Sequence, residues 1–171
     1  AAELAKDGYQ IVTGFGKGVG TYVVNGVLTC MQNENTTRLD RYVKLRPFPL
    51  INENSADAVD IKRKYRESII REAGIAIFVF GNKRSGEKLI NSPGVMEEFR
   101  LAVENGLKVI PIASTGYMSR IIYDEILTNF KKFYPEHKSL KKQLLQLNPQ
   151  ISSHAKIIST VKNILSILNK F

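Results

Sequence analysis

The residues best suited to chemistry follow short apolar runs. Tyr9-Gln-Ile-Val-Thr13 is stopped by a glycine-studded turn, Gly14-Phe-Gly-Lys-Gly-Val-Gly20. Glycines let a backbone approach a phosphate closely, and the helix expected next offers free N–H groups and a partial positive charge. Thr13, Gly14, Phe15 and Gly16 are therefore candidate ligand contacts. Neither familiar nucleotide fingerprint is present: Val19 occupies the third glycine of G-x-G-x-x-G, and G-x-x-x-x-G-K-[ST] does not occur. A plain strand-to-helix turn stays open as the other explanation.

A second group follows Ile75-Ala-Ile-Phe-Val-Phe80. Gly81, like Gly94 a candidate ligand contact, is followed by Asn82 and Lys83, the latter either a point charge for an anion or an exposed loop lysine. The next helix opens at Ser92-Pro93-Gly94, with Glu97 and Glu98 expected in its first turn. Carboxylates there favour the helix dipole; alternatively one accepts hydrogen bonds from ribose hydroxyls, and spacing does not choose between the two. Arg66, in the run Lys62-Arg-Lys-Tyr-Arg66 on the helix before the central strand, reads either as a solvated cation, as most of that run does, or as one that lays its stem along Ile69 and Ile70 and reaches round the sheet edge.

Other chemistry is poorly supported. The single cysteine, Cys30, excludes a disulfide framework and a multi-cysteine metal site, and its apolar phase reads as core. The two histidines, His137 and His154, have no partner pattern and read as surface residues. No acid–base pair, nucleophile elbow or metal spacing emerges, so binding is favoured over catalysis, with no metal and no cofactor.

The elements that must position these residues alternate. Strands are expected at 9–13, 42–45, 75–80 and 107–113. Helices are expected through Val23 to Met31, over Asp57–Glu72 with Val59, Ile61, Tyr65, Ile69, Ile70 and Ala73 inward, and over 95–104 and 117–133. Residues 81–93, polar and punctuated by Gly and Pro, read as a loop. The pattern implies an α/β class: a Rossmann-like three-layer domain with a parallel central sheet. Ligands bind beyond the carboxyl ends of such strands, where the candidates fall. Residues 1–171 read as a single nucleotide-binding domain, with a core over about 9–135 and an α-helical C-terminal extension over 136–171. That extension holds a helix over 139–147, Pro149, and a helix over Ser152–Lys170. Its stripe of Ile157, Ile158, Val161, Ile164, Leu165 and Leu168 must bury against the body or a second copy, so a homo-oligomer is expected. The start AAELA, without Met, reads as a fragment of a longer protein.

A net charge of +9 invites an acidic partner. However, +5 of it lies in residues 136–171, mostly as lysines on helical patterns, while residues 81–106 sum to zero. A solvated helix face is favoured, and nucleic acid is disfavoured without interleaved arginines and aromatics. With neither a membrane-length apolar run nor a signal-peptide pattern, a cytoplasmic location is expected.

Three stretches carry a family resemblance: Ile11-Val-Thr-Gly-Phe-Gly16, Ala76-Ile-Phe-Val-Phe-Gly-Asn-Lys83 and Ser92-Pro-Gly-Val-Met-Glu-Glu-Phe99. They resemble the SLOG superfamily, which includes the cytokinin-activating LOG enzymes and the DNA-processing DprA proteins. The nearest branch associates with Sir2 and TIR domains. The resemblance covers most of residues 9–115. It implies a sensor domain that binds a cyclic ADP-ribose isomer made by a TIR protein and releases an N-terminal Sir2-like NADase during antiphage defence. It places a glycine-rich loop on Gly14 and Gly16, pyrophosphate-binding cations on Arg66 and Lys83, and the ribose carboxylate on Glu98. LOG enzymes carry P-G-G-x-G-T-x-x-E, whereas Pro93-Gly94-Val95-Met96-Glu97-Glu98 lacks the later glycines and the threonine. That suits a binding domain over LOG-type phosphoribohydrolysis; single-strand nucleic-acid binding in the manner of DprA is the other alternative.

Overall fold

The computed structural model describes residues 1–16, 18–52, 55–148, 150 and 153–169. Lys17, Pro149, Ser152 and Lys170, all used in the sequence reading, lie outside the described residues. The chain divides into two compact units, Ala1–Ala73 and Gly74–Phe171.

The first unit runs α1 (Ala2–Lys6), β1 (Ile11–Thr13), α2 (Val19–Asn33), a 3-10 turn at Leu39–Arg41, β2 (Val43–Leu45) and α3 (Ala58–Ile70). β1 and β2 are parallel, with Ile11 opposite Val43 and Thr13 opposite Leu45. The Arg46 N–H donates to the Thr13 carbonyl at 2.9 Å, carrying the pairing past the strand end. The core joins Ala5, Val27, Cys30, Met31, Tyr42 and Val43. Cys30 is buried there as expected, and burial raises its thiol pKa.

Helix α3 departs from its expected apolar face. Val59 is 73% exposed and Ile61 42% exposed, while Ala58 and Ile70 are buried. At 3.6 residues per turn Val59 stands roughly 120° from Tyr65, so the apolar positions do not form one stripe.

The second unit runs β3 (Ile75–Phe78), β4 (Asn82–Ser85), β5 (Lys88–Asn91), α4 (Pro93–Glu104), β6 (Lys108–Pro111), α5 (Tyr117–Thr128), α6 (Phe130–Phe133), α7 (Leu140–Leu144) and α8 (His154–Leu168). β3 and β6 are parallel, from Ile75 opposite Lys108 to Phe78 opposite Pro111. The α/β class with parallel pairing holds, as one two-stranded parallel ladder in each unit.

Three expectations are corrected in this unit. Residues 81–93 contain an antiparallel hairpin, β4 with β5, with Lys83 opposite Ile90. Gly86, φ 61, takes the first central position of its two-residue turn, where a positive φ turns the chain with the strand twist. The expected helix over 117–133 breaks at Asn129, whose side chain donates to the Glu125 carbonyl at 3.2 Å. His137 is buried, not on the surface. Its carbonyl accepts the Leu140 N–H at 2.9 Å, opening the turn into α7, whose Leu140 and Leu144 are buried.

On α8, Val161, Ile164 and Leu165 are buried and Ile158 is exposed. The helix packs against α7 and the following turn, so its own unit covers most of the stripe. Among the described residues, no helix is long and apolar enough to cross a membrane.

Candidate functional site

The candidate residues fall in both units, and each set is built by its own neighbours. In the first unit, Thr13 ends β1, and its hydroxyl accepts the Phe15 N–H at 3.2 Å. The Gly16 carbonyl accepts the Gly20 N–H at 2.9 Å, which starts α2. Phe15 has left-handed backbone, φ 51, and is 44% exposed.

The glycines of this turn have different physical reasons. Gly18 has φ 89, and a methyl on Gly20 would stand 2.7 Å from the Phe15 backbone. Conformation requires the first glycine and packing the second. Gly16 has neither constraint: its φ is not left-handed, and a methyl there would meet nothing within 4 Å among the described residues. At Gly14 a methyl would make ordinary contact, 3.4 Å from the Phe48 ring.

Arg66 is half-buried on α3. Its guanidinium carbon lies 5.3 Å from the Phe48 ring centroid, a cation–π contact. The Phe48 ring meets Tyr65 edge-on at 4.9 Å, and the Tyr65 hydroxyl donates to the Pro47 carbonyl at 2.7 Å. Just past the C-terminal end of α3, Arg46 grips Glu72 with two bonds, Nε to Oε1 at 2.8 Å and Nη2 to Oε2 at 3.0 Å. The chain after β2 thus fastens the helix that carries Arg66.

In the second unit, Gly81 is where three elements converge. Its φ is 84, and a methyl there would stand 2.7 Å from the Met118 Cβ and 3.1 Å from Val95 Cγ1. Its carbonyl accepts the Ser92 N–H at 2.8 Å, tying the residue after β3 to the start of α4. Gly81 is therefore a structural glycine. Lys83 is exposed on β4, in a ladder rather than a loop. Gly94 lies in the first turn of α4, half-buried.

Glu97 and Glu98 are not in the first turn of that helix. α4 opens at Pro93 behind Ser92, as the Ser92-Pro93-Gly94 sequence suggests, so both carboxylates, its fifth and sixth residues, fall in the second turn. Proline at the first position is pre-organised for a helix start. The dipole accounts less well for them there, since its effect fades beyond the first turn. Both are half-buried, next to the buried Phe99.

Sequence reasoning passed over Thr115 and Ser119. The Phe80 N–H donates to Thr115 Oγ1 at 2.7 Å, and the Phe80 carbonyl accepts the Ser119 N–H at 2.9 Å. Small hydroxyls near a helix start were the available signal, but their partners, Phe80 for Thr115 and Phe78 for Ser119, lie far upstream in the chain. Among the described residues no group of three or more His, Cys, Asp and Glu is arranged to hold a metal.

Comparison with known proteins gives a consistent answer. The chain is 37% identical over 166 residues to an NAD(+) hydrolase ThsA of Cytobacillus dafuensis, covering 97% of this chain and 34% of that protein. It is 36% identical over 169 residues to the NAD(+) hydrolase ThsA of Enterococcus faecium, covering 99% of this chain and 34% of that protein. It is 34% identical over 169 residues to that of Bacillus cereus, covering 98% of this chain and 34% of that protein. The chain thus spans about a third of the length of these curated relatives. The profile of the Sir2- and TIR-associating SLOG family matches residues 1–168. This chain belongs to the Sir2- and TIR-associating SLOG family.

Proposed function

We propose that the chain is a regulatory, non-catalytic sensor that binds a cyclic ADP-ribose isomer made by a TIR protein. Binding then activates an attached N-terminal Sir2-like domain that hydrolyses NAD in antiphage defence, in a cytoplasmic homo-oligomer. The name NAD(+) hydrolase carried by longer relatives supports the attached activity.

The roles follow the chemistry. The Thr13–Gly16 turn offers backbone approach to a phosphate, with Phe15 beside it. Arg66 in the first unit and Lys83 in the second are each a candidate cation for a phosphate, through charge-assisted bonds. Gly81 and Gly94 shape the backbone on either side of the hairpin. Glu98 accepts ribose hydroxyls.

The observation that carries this reading is Gly16. Neither its φ nor its packing calls for glycine, whereas close approach of a ligand to the backbone does. Gly16→Ala tests it by calorimetry with cyclic ADP-ribose isomers. The variant is expected to melt like wild type and to bind at least about tenfold more weakly, since an added methyl in a filled site is overpacked. Unchanged affinity would remove the argument.

A further inference from the structure

Two aromatic residues of the second unit stand out. Phe80 and Tyr117 are 45% and 39% exposed. Both also have left-handed backbone, φ 55 and 52, a conformation that strains any residue with a Cβ. Glycine would relieve the strain, and a polar residue would suit the exposure. The same unit buries Phe99, Phe130 and Tyr134, so it has a core able to take large rings.

Their place in the fold gives the exposure a use. Phe80 lies just beyond the end of β3, and Tyr117 is the first residue of α5, which follows β6. β3 and β6 are parallel neighbours. Both residues therefore stand beyond the carboxyl ends of a parallel pair, where α/β folds bind ligands. The backbone is tied there. Thr115 and Ser119, flanking Tyr117 on either side, hold the N–H and the carbonyl of Phe80. The two hydroxyls are themselves fixed, Thr115 donating to the Ile112 carbonyl at 2.7 Å and Ser119 to the Phe78 carbonyl at 2.9 Å. Two of these bonds hold the Phe80 backbone directly, and the other two anchor Thr115 and Ser119.

We infer that Phe80 and Tyr117 form the platform on which the purine ring of the nucleotide ligand stacks. An exposed aromatic face offers area and a π surface to a base at small entropic cost. Lys83 follows Phe80 closely on the same segment, so an anion-binding charge and a base-binding ring enter the site together. This rests on the ligand reading above and adds the group that distinguishes a nucleotide from a simple phosphate.

The test uses Phe80→Gly and Tyr117→Gly, with whichever cyclic ADP-ribose isomer the wild-type chain binds. Each variant is expected to bind about tenfold more weakly, the scale of one base–aromatic stack. Each should still melt cooperatively, with the relief of left-handed strain set against the loss of the covered part of the ring. On the wild-type complex, the adenine H2 and H8 resonances should move upfield under the ring currents. Glycine variants that bind within about twofold of wild type would overturn the stacking assignment, as would unmoved adenine resonances. A wild-type chain that binds no isomer overturns the ligand reading itself, a separate and recognisable result.

Discussion

The Arg66 guanidinium sits 5.3 Å from the centre of the Phe48 ring, and the two residues come from segments that the sequence does not visibly connect. Phe48 follows β2, while Arg66 lies midway along α3. An arginine held over a ring has fewer conformations to lose when an anion arrives. Phe48→Leu removes both this contact and the edge-on contact with Tyr65. The expected outcome is a stability loss of about 1–2 kcal/mol, from one cation–π and one aromatic pair. Ligand affinity should fall as well, while Arg66→Ala should reduce affinity with a smaller effect on melting. Thermal melts and calorimetry on both variants check this.

The glycines of the first turn should separate by mechanism. Gly20→Ala pushes a methyl to 2.7 Å from the Phe15 backbone and should destabilise the chain by about 1–3 kcal/mol. Gly16→Ala should leave the melting temperature unchanged. Equal melting losses in the two variants would show that Gly16 is also a packing glycine.

Acid should weaken the first unit through Glu72. Hydrogen bonding from Arg46 holds its carboxyl below the usual glutamate value, with the charges of Arg46 and Lys44 adding to the effect against the opposing cost of desolvation. A carboxylate with a depressed folded pKa stabilises above its unfolded pKa, about 4.3, and that contribution disappears as pH falls through the lower folded value. Wild type should therefore melt above Glu72→Gln at neutral pH. The gap should close on acidification below about pH 4. Melts of the two proteins from neutral to acid pH read this directly.

A buried bond steadies the ladder of the second unit. The Tyr134 hydroxyl accepts the Val109 N–H at 3.1 Å and donates to the Val109 carbonyl. Burial raises its pKa well above the usual tyrosine range, so the phenol keeps its proton. Tyr134→Phe leaves the Val109 groups without that partner and should cost about 1–3 kcal/mol. Denaturant unfolding should show the loss, with ligand affinity per folded molecule unchanged.

Some of this was legible in the sequence because apolar runs mark strands. Ile11–Thr13 and Ile75–Phe78 could be read that way, although of the seven residues only Phe78 is buried, so the residues just beyond them could be chosen as candidates. The hairpin at Asn82–Asn91 could not, because every residue of both its strands is exposed and period-two patterning needs a buried face. Phe80 and Tyr117 were hidden by their type: a large aromatic defaults to the core, and only backbone φ and exposure show otherwise. His137 was hidden in the opposite sense, as a polar residue that the turn into α7 draws inward. Gly16 and Gly20 look alike in the sequence and differ only once a methyl is built on each.

The central claim is that this chain binds a cyclic ADP-ribose isomer. Calorimetry of the wild-type chain against a panel of such isomers, with melting temperature followed in parallel, tests it most directly. The account predicts saturable binding of at least one isomer and a melting temperature that rises with its concentration, since a ligand that binds only the folded state stabilises it by mass action. No heat of binding and no melting shift with any isomer would contradict it.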